Sequence, residues 1–304
     1  MPLLPACAQQ FDIGIRSMPL VKHDDFPSSH VLARHVHVWL PDAYEADAQP
    51  YSVLYMHDGQ NLFEVENAPF GSTWEVPATM SRLLREGKVR KTIVVGAWCT
   101  AARFREYLPA SVAERLSDAT REKLFGQSQY GGGSLSDGYV RFLVEELKPF
   151  IDSTYRTLPG LADTFIMGSS MGGLISWYAL ALRPDVFGSA ACLSTHWPLT
   201  IDDGVLDTEE AEEWRREVTS AEVAAVRETL PPPDGRRRLW FDFGSDHLDA
   251  HYEPYQTAID EVLEEIGYVR GRDWITLGFP GAAHNEGAWA ARLAEPLTFL
   301  LSGP

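Results

Sequence analysis

Gly168-Ser169-Ser170-Met171-Gly172-Gly173 lies between Thr164-Phe165-Ile166-Met167, an apolar run of strand length, and Leu174 to Leu182, an aliphatic and aromatic run with no breaker before Pro184. Strand, sharp turn and helix around Gly-x-Ser-x-Gly is the pattern of a nucleophile elbow. Glycine is needed two residues either side of Ser170 because a Cβ in so tight a turn would collide with the neighbouring strand or helix. Ser170 is thereby expected at the exposed tip. At a helix N-terminus it also has free backbone N–H groups and a positive dipole end where negative charge develops during acyl transfer.

Upstream, His30 to Leu40, Tyr51 to Met56 and Thr92 to Trp98 read as strands, the second ending in His57-Asp58-Gly59 and the third at Cys99-Thr100. Gly138 to Ile151 carries Tyr139, Phe142, Leu143, Leu147 and Phe150 at helical spacing. Downstream, Gly188 to Leu193, Arg238 to Phe243 and Trp274 to Leu277 read as strands, with helical stretches around Glu209 to Leu230 and Tyr255 to Ile266. This alternation predicts an α/β fold, a mostly parallel sheet with helices on both faces. Arg103 to Asp137, which contains Gly131-Gly132-Gly133, and Pro198 to Asp234, which ends near Pro231-Pro232-Pro233, interrupt it. Both follow strands at the edge where ligands bind in such sheets, so both are expected to shape a cleft. No internal repeat is evident.

The 304 residues, 45% of them hydrophobic, can bury one large core, which predicts a single domain over residues 1–304 with insertions at about 103–137 and 198–234. Lys and Arg number 26 against 43 Asp and Glu, a formal charge of −17 that disfavours nucleic acid, anionic membrane surfaces and polyanionic substrates through long-range repulsion. No run approaches the ~18 apolar residues of a membrane span. Cys7, Cys99 and Cys192 show neither disulfide-framework nor zinc-ribbon spacing, and a reducing cytoplasm is the expected location. The N-terminus lacks a signal-peptide pattern; Leu4-Pro5-Ala6-Cys7 has only a faint likeness to a lipoprotein box, with no hydrophobic segment before it. No cofactor is expected, and the chain by itself does not set an oligomeric state.

A serine hydroxyl is a weak nucleophile near neutral pH and needs a general base, itself oriented by an acid, in the chain order Ser, Asp or Glu, His. His284 follows the last expected strand on the loop Gly278 to Ala283, where the base belongs. The acid is expected in Gly244-Ser245-Asp246-His247-Leu248-Asp249, after the penultimate strand. Asp246, two residues past the turn glycine, is favoured; Asp249 is the alternative. His247 and His251 are spaced i, i+4, but Leu248 stands where a metalloprotease has its glutamate and no third ligand is evident, so no metal site is expected. The oxyanion donors are expected to be the N–H of Met171 and, on the His57-Asp58-Gly59-Gln60-Asn61 turn, that of Gln60 or of Gly59. Trp98, Arg103, His196 and Trp197 are candidate substrate-binding residues near strand ends, and Trp74, Phe104 and Trp177 are further aromatics of the same kind.

In Leu54 to Phe63, Glu106-Tyr107-Leu108-Pro109, Phe142 to Leu147, Gly168 to Gly173, Arg183 to Gly188 and Gly281 to Asn285 the chain resembles the putative-esterase family of α/β-hydrolases. That family includes feruloyl and acetyl-xylan esterases, siderophore esterases, S-formylglutathione hydrolases and mycolyltransferases. The likeness runs in order from about residue 30 to 300. It implies an α/β-hydrolase fold, Ser170 as nucleophile, His284 as base, an acid within Asp246 to Asp249 and an oxyanion donor just after Asp58-Gly59. The acid turn is where members vary in spacing. The expected activity is serine-dependent hydrolysis of a small, aryl or sugar carboxylic ester through an acyl-enzyme. Acyl transfer on the same scaffold and a noncatalytic carbohydrate-binding role are the alternatives.

Overall fold

The computed structural model describes residues 20–200 and 209–303; Cys7 and the Leu4 to Cys7 stretch lie outside the described residues, as do positions 201–208 of the second expected insertion. The strands are β1 (Leu20–Phe26), β2 (Arg34–Trp39), β3 (Ser52–Met56), β4 (Thr92–Ala97), β5 (Thr164–Ser169), β6 (Ser189–Leu193), β7 (Arg238–Gly244) and β8 (Trp274–Phe279). They form one sheet in the order β1-β2-β4-β3-β5-β6-β7-β8. β1 and β2 pair antiparallel, as do β2 and β4, and every other pairing is parallel.

The helices are α1 (Val76–Arg85), α2 (Arg103–Tyr107), α3 (Ala110–Ala113), α4 (Asp118–Gly126), α5 (Ser136–Arg141), α6 (Lys148–Thr154), α7 (Met171–Leu182), α8 (Glu209–Thr229), α9 (Glu253–Glu265), α10 (Glu286–Arg292) and α11 (Ala294–Leu301). A π-helical turn over Phe142–Leu147 joins α5 to α6, so the expected helix over 138–151 is real but locally widened.

Side chains of the parallel strands alternate between two cores, as period-2 geometry requires. Val53, Tyr55, Ile166, Cys192 and Phe241 pack under α7, α8 and α9 through Leu174, Trp177, Val218, Ile259 and Leu263. Leu54, Met56, Phe165, Met167 and Trp240 pack under α1, α10 and α11 through Met80, Leu83, Trp289, Leu297 and Leu301. Both faces are covered, which is why these strands read as continuous apolar runs. β1 differs: it is an edge strand, LVKHDDF, with most of its side chains in solvent.

Arg34 of β2 ties the antiparallel edge to α2. Its guanidinium forks onto Glu106 at 2.7 and 3.1 Å and lies over the rings of Tyr139 and Phe142 at 5.0 and 4.8 Å. Both charged side chains are buried. Removing one partner strands the other charge away from water, so Glu106→Leu should cost about 3–5 kcal/mol in urea unfolding. Arg34→Met combined with Glu106→Leu should recover most of that loss. Equal stability of the single and double variants would show that the pair is not what the single change breaks.

Candidate active site

Ser170 occupies the turn between β5 and α7 with φ 56° and ψ −126°, a backbone conformation that L-residues rarely adopt and that costs about 1–3 kcal/mol. Its neighbours supply the room. A Cβ on Gly168 would lie 2.7 Å from the Gly172 carbonyl oxygen and 2.9 Å from His57, and one on Gly173 would lie 2.9 Å from the Thr195 hydroxyl. Hydrogen bonds lock the strained residue: its N–H donates to Leu193 O at 2.9 Å, and its carbonyl accepts from His196 N at 3.1 Å. Ser170 is half-buried and opens into a cleft of about 680 Å³ at the C-terminal ends of the parallel strands. Met171 is the first residue of α7, where backbone N–H groups have no acceptor within the helix.

His284 lines the same cleft, on the loop after β8. Its Nδ1 lies 2.5 Å from Asp249 Oδ1. The structure therefore brings Asp249, and not the favoured Asp246, to the histidine. Asp246 is exposed; its carboxylate accepts from the N–H of His247 and stands 3.7 Å from that imidazole. The reason is the path of the turn: one further 3-10 turn over His247–His251 carries the chain back over the sheet and buries Asp249. The second oxygen of Asp249 accepts from Ser194 Oγ and Gly244 N, both at 2.6 Å. Burial alone would raise its pKa, but the bonds from His284, Ser194 and Gly244 outweigh it and hold the carboxyl below the usual range.

Ser194, which sequence reading passed over, is the centre of this support. Its hydroxyl also receives Trp289 Nε1 at 3.0 Å and Arg292 at 2.7 Å, and Arg292 pairs with buried Asp242 at 2.9 Å. These four residues come from three separate strand ends and helices, with no sequence spacing to betray them.

On the opposite wall, Asp58 is left-handed (φ 54°) and Gly59-Gln60-Asn61 form a 3-10 turn. Gly59 packs against β4, a Cβ there being 2.6 Å from Gly96, while Gln60 faces the cleft with its amide bonded to Cys99. Arg103 lines the cleft too, yet its guanidinium forks onto Asp58 at 2.7 and 2.8 Å, so its charge is already matched. The other three substrate-binding candidates are not on the cleft wall. Trp98 packs edge-on to His35 and His37. Trp197 is a core residue beside Trp177 and Phe241, its indole N–H on Gln256. His196 lies buried behind Ser170 with Nδ1 2.8 Å from the Tyr252 hydroxyl, and burial, then the proximity of His284, push its pKa down to about 3. Large aromatics near strand ends are used here for packing.

The lining is completed by the apolar Pro69, Phe70 and Phe104 and the polar Asn61, Asn285 and Glu286. Phe70 is 75% exposed, an apolar ring held at the rim. Glu286 is buried, accepts from Asn61 at 3.0 Å, and has its pKa raised by burial and then by Asp58. Its place directly after His284-Asn285 was the available signal. From the expected insertions, 103–137 contributes Arg103 and Phe104 to the cleft, whereas none of the described residues of 198–234 lines it. Among the described residues no group of three or more His, Cys, Asp or Glu side chains is gathered as a metal site requires.

An eight-stranded, mostly parallel sheet with helices on both faces and a serine turn at the end of β5 defines an α/β-hydrolase. Residues 31–300 match the model of the family described as putative esterase, and the chain belongs to that family. Ester hydrolysis is the chemistry this membership supports. Over 276 residues the chain is 23% identical to the Bacillus subtilis (strain 168) protein described as uncharacterized protein YbbA, covering 88% of this chain and 92% of that one. It is 27% identical over 155 residues to the ferri-bacillibactin esterase BesA of the same organism, covering 48% of this chain and 49% of that one. Among solved structures, an IroE-like serine hydrolase from Shewanella oneidensis superposes with a TM-score of 0.65 at 19% identity, over 92% of this chain and 79% of that one. A ferulic acid esterase from Anaeromyces mucronatus, in complex with ferulic acid, gives 0.58 at 20% identity, over 97% and 95%. At these identities the solved structures share the fold. No helix among the described residues is long and apolar enough to cross a membrane.

His57 lies beneath the elbow, its Nδ1 2.8 Å from Tyr139 OH, and burial lowers its pKa from 6.5 to about 3. Between those values the unfolded chain binds a proton that the folded chain refuses, so His57 adds stability above pH 6.5 that is lost as the pH falls. From pH 6 to 4, urea unfolding of His57→Asn should lose stability less steeply than the wild type, by about 1.4 kcal/mol per pH unit. Parallel pH profiles would mean that His57 titrates alike in both states.

Proposed function

We propose that the protein is a serine carboxylic-ester hydrolase that works through an acyl-enzyme. The observation that carries this reading is the strained Ser170 and the His284–Asp249 pair opening into one cleft. With Nδ1–H donated to Asp249, the lone pair of His284 is left on Nε2, free to take the Ser170 proton as Oγ attacks the ester carbonyl. Asp249 stabilises the imidazolium that results. The N–H groups of Met171 and Gln60 receive the oxyanion, Gln60 being preferred to Gly59 because it faces the cleft. His284 then protonates the departing alcohol. In the second half it deprotonates the water that releases the acid, and Ser170 is regenerated.

The cleft volume of about 680 Å³ suits a small-molecule ester. Phe70, Phe104 and Pro69 offer faces for a flat aryl group, and Asn61, Asn285 and Glu286 offer hydrogen bonds to hydroxyls of the substrate. The ferulic acid esterase among the similar structures is named for an aryl acid and holds ferulic acid, and that supports an aryl ester as the substrate class.

With p-nitrophenyl acetate, Ser170→Ala should abolish labelling by a fluorophosphonate and lower kcat/KM by at least about 10³-fold. Asp249→Asn should lower kcat by roughly 10²–10⁴-fold, because it removes the acceptor that fixes the His284 tautomer, while Asp246→Asn should stay within about twofold of wild type. Full activity in Ser170→Ala would sink the mechanism, and a larger loss in Asp246→Asn than in Asp249→Asn would sink the assignment of the acid.

A further inference from the structure

At the N-terminal edge of the parallel strands, about 20 Å from the cleft by the length of a six-residue strand, four arginines wall a cavity of about 490 Å³. They are Arg90, ahead of β4, and the run Arg236-Arg237-Arg238 that enters β7. Its floor is apolar: Leu161, Phe165 and Leu300. In a chain of net charge −17, this concentration of cations is out of keeping with the composition.

Packing accounts for part of it. Arg90 donates to Ala162 O and Ser302 O, both at 3.0 Å, and pairs with Asp163 at 3.2 Å. Arg237, 7% exposed, donates to Pro184 O at 3.2 Å and faces Asp234 at 3.3 Å. Arg238 donates to Phe299 O at 2.8 Å and Ser302 Oγ at 2.9 Å. Carbonyl dipoles at the end of α11 offset only a fraction of a unit charge. Arg238 therefore lacks a carboxylate, and the exposed side chain of Arg236 makes no hydrogen bond or ion pair among the described residues. The Nε atoms of Arg90 and Arg237 are buried without partners as well. Two guanidiniums matched by carboxylates, two unmatched, and an apolar floor between them describe a site that is short of an anion.

We propose that this cavity is a second ligand site, which binds an organic carboxylate with an apolar body. The planar guanidiniums of Arg236 and Arg238 take the carboxylate, and Leu161, Phe165 and Leu300 take the body. A polyanion is disfavoured by the charge of the rest of the molecule, and the two unmatched cations suffice for a single carboxylate.

Calorimetric titration of the full chain with trans-cinnamate tests this. Saturable binding is expected, with cinnamyl alcohol and inorganic phosphate each weaker by at least about tenfold, since one lacks the charge and the other the apolar body. Arg236→Glu, whose side chain has no contact to lose, should weaken cinnamate by at least about tenfold, and Arg238→Gln should do so in the same direction. Both should hydrolyse p-nitrophenyl acetate as the wild type does, because they lie at the opposite edge of the sheet. Absence of saturable binding, binding indifferent to both arginine changes, or equal binding of the alcohol would overturn the proposal.

Discussion

The close approach of Gly168 to Gly172 is the constraint on which the active face is built. With no Cβ on Gly168, α7 leaves β5 at an angle tight enough to hold Ser170 at φ 56°, whereas a Cβ on Gly172 would meet nothing closer than 3.4 Å; the strain persists because the Ser170 N–H and carbonyl are both bonded, to Leu193 and His196. That same pair of bonds fixes the end of β6 and the residues after it against the elbow. Ser194, two residues before His196, is thereby set where it can hold Asp249. The strain at Ser170 and the placement of Asp249 are two results of one packing event.

Asp249 illustrates how a buried side chain beside the cleft is supported by its neighbours. A buried carboxylate with a single partner would be costly, and here each oxygen is satisfied, one by His284 and the other by Ser194 and Gly244. Gly244 is part of the fit: a Cβ there would meet Ala282 O at 2.0 Å, and the N–H groups of Ser245 and Asp246 both donate to that carbonyl. The turn that carries Asp249 and the loop that carries His284 are therefore clamped to each other by backbone. The i, i+1 neighbours Ser245 and Asp246 serve the clamp, and Asp249 serves the imidazole.

Legibility followed burial. Strands β2 to β7 and α7, α8 and α9 were readable because both sheet faces are covered there and the apolar runs stand out against Gly and Pro punctuation, and β8, a half-exposed edge strand, by its apolar content alone. β1 was not, since LVKHDDF keeps most of its side chains in solvent and so carries no alternation. α1, α10 and α11 were passed over as well. In the cleft, the places of Ser170 and His284 were legible from a five-residue turn and a loop position, whereas the carboxylate that meets His284 was ambiguous between two aspartates three residues apart. The aromatic candidates misled because Trp197 and Trp98 stand close in sequence to strand ends and yet turn into packing. Of the aromatic candidates only Phe104 lines the cleft, together with Phe70, which the sequence reading did not single out.

The sequence by itself determined the fold class, the sharp turn that carries Ser170 and the loop that carries His284, because each rests on local geometry: a glycine where no Cβ fits, and apolar runs where two layers meet. Only the tertiary structure decided between Asp246 and Asp249, drew Ser194, Trp289 and Arg292 together behind the acid, matched Arg103 to Asp58 and gathered four arginines at the far edge of the sheet. What joins these groups, Ser194 to the 286–292 helix and Arg90 to the 236–238 run, are contacts between distant segments, set by how strand ends converge in three dimensions, and no spacing along the chain encodes them.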